Sequence, residues 1–182
     1  VELLGVTTCF GNCAVEDGTR NALRILTLAG ATSVPVAQGA SGPLIGTTAL
    51  GNYVHGTSGL DGPEIPEPAF VASELPAVQL MKSLIEQSPE PVTLVVTGPM
   101  TNAAELFRDH PEVAGNIREV IFMGGSTNGG NHTPSAEFNT YADPEALQEV
   151  IDSGIPLRMV GLNLTHQALA TPDVVEQMRA MK

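Results

Sequence analysis

Apolar residues fall into two alternating patterns along the chain. Short continuous runs at residues 3–8, 34–37, 92–96, 119–123 and 157–162 read as buried strands. Between them, apolar residues recur every three to four positions, at Ala22, Leu23, Ile25, Leu26 and Ala29 and again at Ala77, Val78, Met81, Leu84 and Ile85. That spacing gives a helix one apolar face. Gly30 closes the first of these helices, and Glu16 and Arg20 stand in the order that favours an ion pair along it. Residues 103–107 make a short helix with Pro111 beyond it. Asp143-Pro144-Glu145 opens another, with Asp as N-cap, Pro in the first turn, Leu147, Val150 and Ile151 turned inward, and Gly154 as the stop. Thr171-Pro172-Asp173 repeats the start signal for a last helix, whose pattern runs to Lys182.

The strands are apolar on both faces and helices separate them. The fold class is therefore α/β, with a mostly parallel sheet covered by helices on both sides. A length of 182 residues suits one domain spanning residues 1–182. Two stretches lack periodicity. Residues 38–68 are rich in Gly, Pro, Ser and Thr, and residues 124–139 form a polar loop. Loops this long inside a compact domain point to function.

Ligands of parallel α/β sheets bind at the carboxyl ends of the strands. Thr7, Thr8, Gly11 and Asn12 follow the first strand; residues 97–102 follow the third. Met123-Gly124-Gly125 follows the fourth and leads to Asn131, Glu137 and Asn139. Asn163, Thr165 and His166 follow the fifth, and the long loop adds His55-Gly56. These groups are expected on one rim. Each also has a plain structural reading: Asn12 as a turn residue, Asn102 as a cap for the helix at 103, Glu137 as a solvated charge.

Composition narrows the chemistry. Lys and Arg total 8 against 20 Asp and Glu, a net charge of −12 that repels nucleic-acid backbones and anionic membranes. No apolar run is long enough to span a bilayer. The rim loops hold no Arg or Lys, which argues against a phosphate ligand. No G-x-G-x-x-G, G-x-x-x-x-G-K-[ST] or G-x-S-x-G motif occurs. Amides, hydroxyls and one carboxylate remain, a set suited to a neutral polyol. Cys9 and Cys13 make neither a disulfide framework nor a four-ligand zinc site. They read as free thiols of a reducing compartment, and with no signal peptide visible the expected location is cytoplasmic.

Five segments carry a family resemblance: residues 123–139 (MGGSTNGGNHTPSAEFN) with Asp143-Pro144-Glu145-Ala146 after them, 97–102 (TGPMTN), 55–60 (HGTSGL), 7–12 (TTCFGN) and 161–166 (GLNLTH). In order and spacing the chain resembles the inosine–uridine-preferring nucleoside hydrolases. The resemblance implies a Rossmann-like open sheet and hydrolysis of the N-glycosidic bond of ribonucleosides, small-molecule substrates, to ribose and free base. It implies a calcium ion that chelates the ribose hydroxyls and the attacking water. Thr97 matches the position that gives calcium a backbone carbonyl. Asn131, Glu137 and Asn139 match ribose-hydroxyl ligands, Met123 lines the sugar, Asn12 lies near the hydroxyl and metal cluster, and His55 and Phe138 stand beside the sugar or base. Relatives form oligomers, and a homo-oligomer is compatible with the resemblance.

Cleavage of such a bond develops positive charge on the sugar ring, which a carboxylate and oriented amides can stabilise. The family's aspartate-rich motif, source of the general base and most metal ligands, precedes the point where this chain starts. A further Asp ligand and a leaving-group His lie beyond its end, and His166 does not match that His. Both ends are expected to be interior to a longer protein, and the 182 residues alone are expected to be inactive. A relative that binds ribose without cleaving it is the alternative reading.

Overall fold

The computed structural model describes residues 1–62 and 64–181; Lys182, expected to end a helical pattern, lies outside the described residues. The elements run β1 (Val6–Thr8), α1 (Val15–Leu28), β2 (Val36–Gln38), α2 (Asn52–His55), α3 (Ala77–Gln87), β3 (Val92–Val96), α4 (Thr101–Asp109), a 3-10 turn (Pro111–Asn116), β4 (Ile117–Met123), α5 (Phe138–Ala142), α6 (Pro144–Asp152), β5 (Leu157–Val160), α7 (Leu162–Thr165) and α8 (Pro172–Ala180). Every strand pair is parallel: Val6 lies opposite Val36, Val95 opposite Ile121, and Phe122 opposite Met159. The architecture is the parallel α/β arrangement that the hydrophobic pattern predicts.

The strands do not form one continuous sheet among the described residues. β1 pairs with β2, and β4 pairs with β3 and β5. Periodicity identifies strands but not their neighbours, so this division is invisible in the pattern. Val95 is 68% exposed in an apolar strand, so that face of β3 is uncovered at this point. The first strand is also shorter than expected, since its first rung is Val6 N–H donating to Pro35 O at 2.9 Å, and Leu3 is exposed.

Helix α3 serves both sheets. Its Ala77 and Leu80 pack with Ala37 of β2, while Ile85 joins the larger core with Leu106, Val120 and Val150. Burying a side chain such as Ile85 or Leu106 stabilises the fold by roughly 1.5–3 kcal/mol. A smaller cluster of Leu23, Leu26 and Val36 seats α1 on β2.

Three expectations need correction. Ile151 does not turn inward with Val150; it is half exposed on the outer side of α6. Arg20 does not pair with Glu16; it grips Glu67 with two 2.9 Å contacts, because the chain at 64–68 runs back along α1, where Arg24 also bonds Ile65 O and Pro66 O. Asn102 does not cap its own helix. It lies inside α4, nearly buried, and its amide reaches the other sheet: Nδ2 donates to Thr8 O at 2.9 Å, and Oδ1 accepts from Ala40 N–H at 3.0 Å. Gly39 makes room for it, since a Cβ there would stand 2.3 Å from Asn102 Oδ1 and 2.6 Å from Thr8 O. Cys9 adds a second link, its thiol donating to Pro99 O at 3.7 Å. The sheets are thus stitched together at their carboxyl ends, where ligands bind in this fold class.

Candidate active site

Strand β4 ends at Met123 and runs into Gly124-Gly125. Gly125 has φ +64°, a left-handed conformation that glycine adopts without penalty. It aims the Gly125 N–H at Glu137 Oε2, 3.0 Å away. Glu137 is the N-cap of α5, and its carboxylate also accepts from Asn139 N–H on Oε1 at 2.9 Å and from Thr140 N–H on Oε2 at 3.0 Å. Glu137 is 3% exposed, so it is no solvated surface charge. Three backbone donors compensate its burial. A carboxylate has about four acceptor sites, and one on Oε1 remains.

Asn139 lies beside it in the first turn of α5. Its Nδ2 donates to Met123 O at 3.0 Å and to Thr97 O at 3.3 Å, tying the ends of β3 and β4 together. Those two donations use both amide protons, and its Oδ1 accepts no hydrogen bond among the described residues. Asn131 shows the complement: Oδ1 accepts from Phe138 N–H at 2.9 Å, and Nδ2 has no acceptor among the described residues. Its loop is folded tightly, with the Asn131 and His132 N–H groups both donating to Ala136 O. Phe138 is buried and meets the His132 ring edge-on at 5.5 Å between centroids.

The structure therefore gathers Thr97, Met123, Asn131, Glu137, Phe138 and Asn139 into one network. Asn12 and His55 stand on the other side, exposed, with no side-chain hydrogen bond among the described residues. They share a segment: Gly51 N–H donates to Gly11 O at 2.8 Å, which brings α2 and its His55 against the turn holding Asn12. Asn163 and Thr165 lie on α7 and His166 caps its C-terminus; among the described residues none of the three side chains bonds to the Glu137 network.

Residue-by-residue reading missed two supports. Asp143 is the expected N-cap of α6, accepting from Ala146 N–H at 3.1 Å, but its other oxygen also takes Leu44 N–H at 3.0 Å and the Thr101 hydroxyl at 2.5 Å. It is fully buried and binds the long 38–51 loop to α4 and α6. Tyr53 and His132 form a cross-loop contact at 3.2 Å. The sequence held no signal for either beyond the residue types, because the partners are 99, 42 and 79 positions away.

Among the described residues no group of three or more His, Cys, Asp or Glu side chains gathers to hold a metal ion. Thr97 O and the exposed Asn12 side chain are neutral oxygen donors, and a divalent cation of the calcium type needs six to eight oxygens, usually with carboxylates. These residues alone do not make a calcium cage. Burial, and next the charge of Asp143, push the Cys9 thiol up to about 12, so it stays protonated and is no nucleophile.

The fold and the rim together define a parallel α/β domain with a long polar loop, built around a buried carboxylate, after its fourth strand. The family model of the inosine-uridine preferring nucleoside hydrolases matches residues 1–182, and the chain belongs to that family. Family members are in general metal-dependent. The chain is 48% identical over 179 residues to the pyrimidine-specific ribonucleoside hydrolase RihA of Shewanella woodyi, covering 98% of this chain and 57% of that protein. It is 46% identical over 181 residues to the protein of the same name from Escherichia coli O127:H6, covering 58% of it. Among solved structures, the purine-preferring ribonucleoside hydrolase from Gardnerella vaginalis superposes with a TM-score of 0.91 at 34% identity, over 98% of this chain and 58% of that one. A plant nucleoside hydrolase superposes with a TM-score of 0.83 at 31% identity, over 91% and 53%. The chain thus spans little more than half the length of the relatives it matches. No described helix is long and apolar enough to cross a membrane.

Proposed function

We propose that the complete protein hydrolyses the N-glycosidic bond of ribonucleosides, releasing ribose and free base, and that residues 1–182 supply the ribose-binding half of its site. The observation that carries this is the Glu137–Asn139 network. Three groups without a partner among the described residues, one acceptor site on Glu137 Oε1, the Oδ1 of Asn139 and the Nδ2 of Asn131, match the donor and acceptor needs of neighbouring sugar hydroxyls. These groups are held before a ligand arrives, which is the condition for strong electrostatic stabilisation of a developing charge. As positive charge grows on the ring, the Glu137 carboxylate beside it opposes that charge. Met123 lines the sugar, and Phe138 and His55 stand toward the base.

In this reading the metal is calcium, which would activate water and bind the hydroxyls. Thr97 O and Asn12 are the donors these residues offer it, and its carboxylates come from elsewhere in the complete protein. A preference for pyrimidine nucleosides is supported by the higher identity to relatives named pyrimidine-specific, 46–48%, than to the purine-preferring structure, 34%. The test is base release from uridine, inosine and 2′-deoxyuridine by the purified complete protein, with and without a chelator. Turnover of uridine ahead of inosine, lost with 2′-deoxyuridine and with the chelator, is the expected result. Absence of any base release contradicts the reading.

The lack of a metal-holding cluster among the described residues favours a second statement about this segment. Residues 1–182 alone bind a ribonucleoside without cleaving it, because nothing in them generates the nucleophile. Calcium-dependent turnover by the isolated segment would refute that.

A further inference from the structure

Helix α2 is four residues long and most of its side chains are exposed, yet it is anchored to both the β1 rim and the β4 rim. Toward the β1 rim, Gly51 N–H donates to Gly11 O at 2.8 Å. Toward the β4 rim, the Tyr53 hydroxyl meets His132 Nδ1 at 3.2 Å, across 79 positions of sequence. The His132 ring is itself fixed. It lies tilted on Tyr141 at 4.1 Å between centroids and edge-on to Phe138 at 5.5 Å, both on α5, and its backbone N–H donates to Ala136 O at 3.0 Å. Tyr53 therefore approaches a ring already oriented by the same helix that holds Glu137 at its N-cap and Asn139 in its first turn. Beyond α2 the chain is folded back on itself: Asp61 accepts from Thr57 N–H at 3.0 Å and from Ser58 N–H at 3.2 Å. The short helix is a strap between two rims, and among the described residues its side chains reach the β4 rim through one hydrogen bond, that of Tyr53.

We propose that Tyr53 and His132 are positioning residues, whose hydrogen bond holds α2 between the two rims and fixes the turn carrying His55 against the loop carrying Asn131. The inference rests on the ribonucleoside reading only for its kinetic readout; its structural readout is independent. Tyr53→Phe removes the hydroxyl and keeps the ring. His132→Phe keeps a ring on Tyr141 and removes the ring nitrogen that Tyr53 meets. Neither residue is buried in the core, so the melting temperature should hold.

The experiment uses the complete protein with uridine and compares wild type, the two single variants and the double variant. The expected result is a KM about 2- to 10-fold higher in each single variant, the worth of one neutral hydrogen bond, with kcat within twofold. The double variant should show no further rise beyond the larger single one. Hydrogen exchange at His55 and Gly56 should quicken in both variants while exchange in β4 stays unchanged. Additive KM effects, or unchanged exchange at His55 and Gly56 in Tyr53→Phe, overturn the proposal. If the wild type turns over no uridine, the ribonucleoside reading fails, and the exchange result alone decides the strap.

Discussion

Among the described residues, Asn131, Glu137 and Asn139 at the β4 rim each use part of their side-chain hydrogen bonding on the protein and keep part free, whereas Asn12 and His55 at the β1 rim use none. The first rim is fixed mostly by contacts near in sequence. The N-cap carboxylate and the glycine with positive φ are short-range devices, and only the Asn139 amide reaches far, to Thr97 O 42 positions away. The second rim depends on distant contacts: Gly51 on Gly11, Tyr53 on His132, Asn102 on Thr8 and Ala40. A ligand would meet one wall that is preorganised and one that is positioned by its neighbours.

The largest expected effect breaks the link between the two halves. Gly39→Ala puts a Cβ against Asn102 and the Thr8 carbonyl, where neither backbone nor buried amide can yield cheaply. Overpacking of this kind costs about 3 kcal/mol, and Asn102→Ala, which leaves Ala40 N–H without an acceptor, costs about 2 kcal/mol. Denaturant unfolding measures both. If the two sheets were energetically independent, Asn102→Ala would be silent.

Next comes the preorganised wall itself. Glu137→Ala in the complete protein should lower kcat/KM for uridine roughly 10- to 150-fold, the worth of one charged hydrogen bond. Asn139→Ala should cost less. A Glu137→Ala enzyme with wild-type efficiency would mean that the carboxylate serves only as a helix cap.

Cys9 makes the stability of the folded chain depend on pH. Its raised value means that the folded chain keeps the thiol proton while the unfolded chain loses it above about 8.5. The folded state then binds more protons, so this contribution to stability is intact below pH ~8.5 and falls by about 1.4 kcal/mol per pH unit above it. Alkylation at pH 9 should modify Cys9 only upon unfolding. Rapid labelling of the native protein would show that the rim around Pro99 opens. The smallest effect belongs to the surface: Arg20→Ala, which removes an exposed pair with Glu67, should change stability by less than about 1 kcal/mol.

What was legible in the sequence follows the same division. All five strands stand within a few residues of their apolar runs, and Asp143, Gly154 and Thr171 bound their helices as their residue types require. The β4 loop was legible too, since Gly-Gly, Glu137 and Asn139 follow one another along the chain. α2, α5 and α7 were not, because four or five residues are too few to show a period. Nor was the division into two sheets, the Asn102 bridge or the Tyr53 contact, since each depends on which segments meet in space. Arg20 illustrates the limit: helical spacing offered it Glu16, and the fold supplied Glu67 with better geometry.

In the proposed function, residues 1–182 carry a ribose site already formed at the β4 rim. Amide NMR of this segment during titration with uridine, with 2′,3′-dideoxyuridine as control, checks for that site. The expected result is a dispersed spectrum in which uridine shifts the amides of Gly125, Phe138, Asn139 and Thr140, while the dideoxy analogue leaves them in place. A folded segment in which uridine moves none of these amides, or in which both nucleosides move them equally, would contradict it.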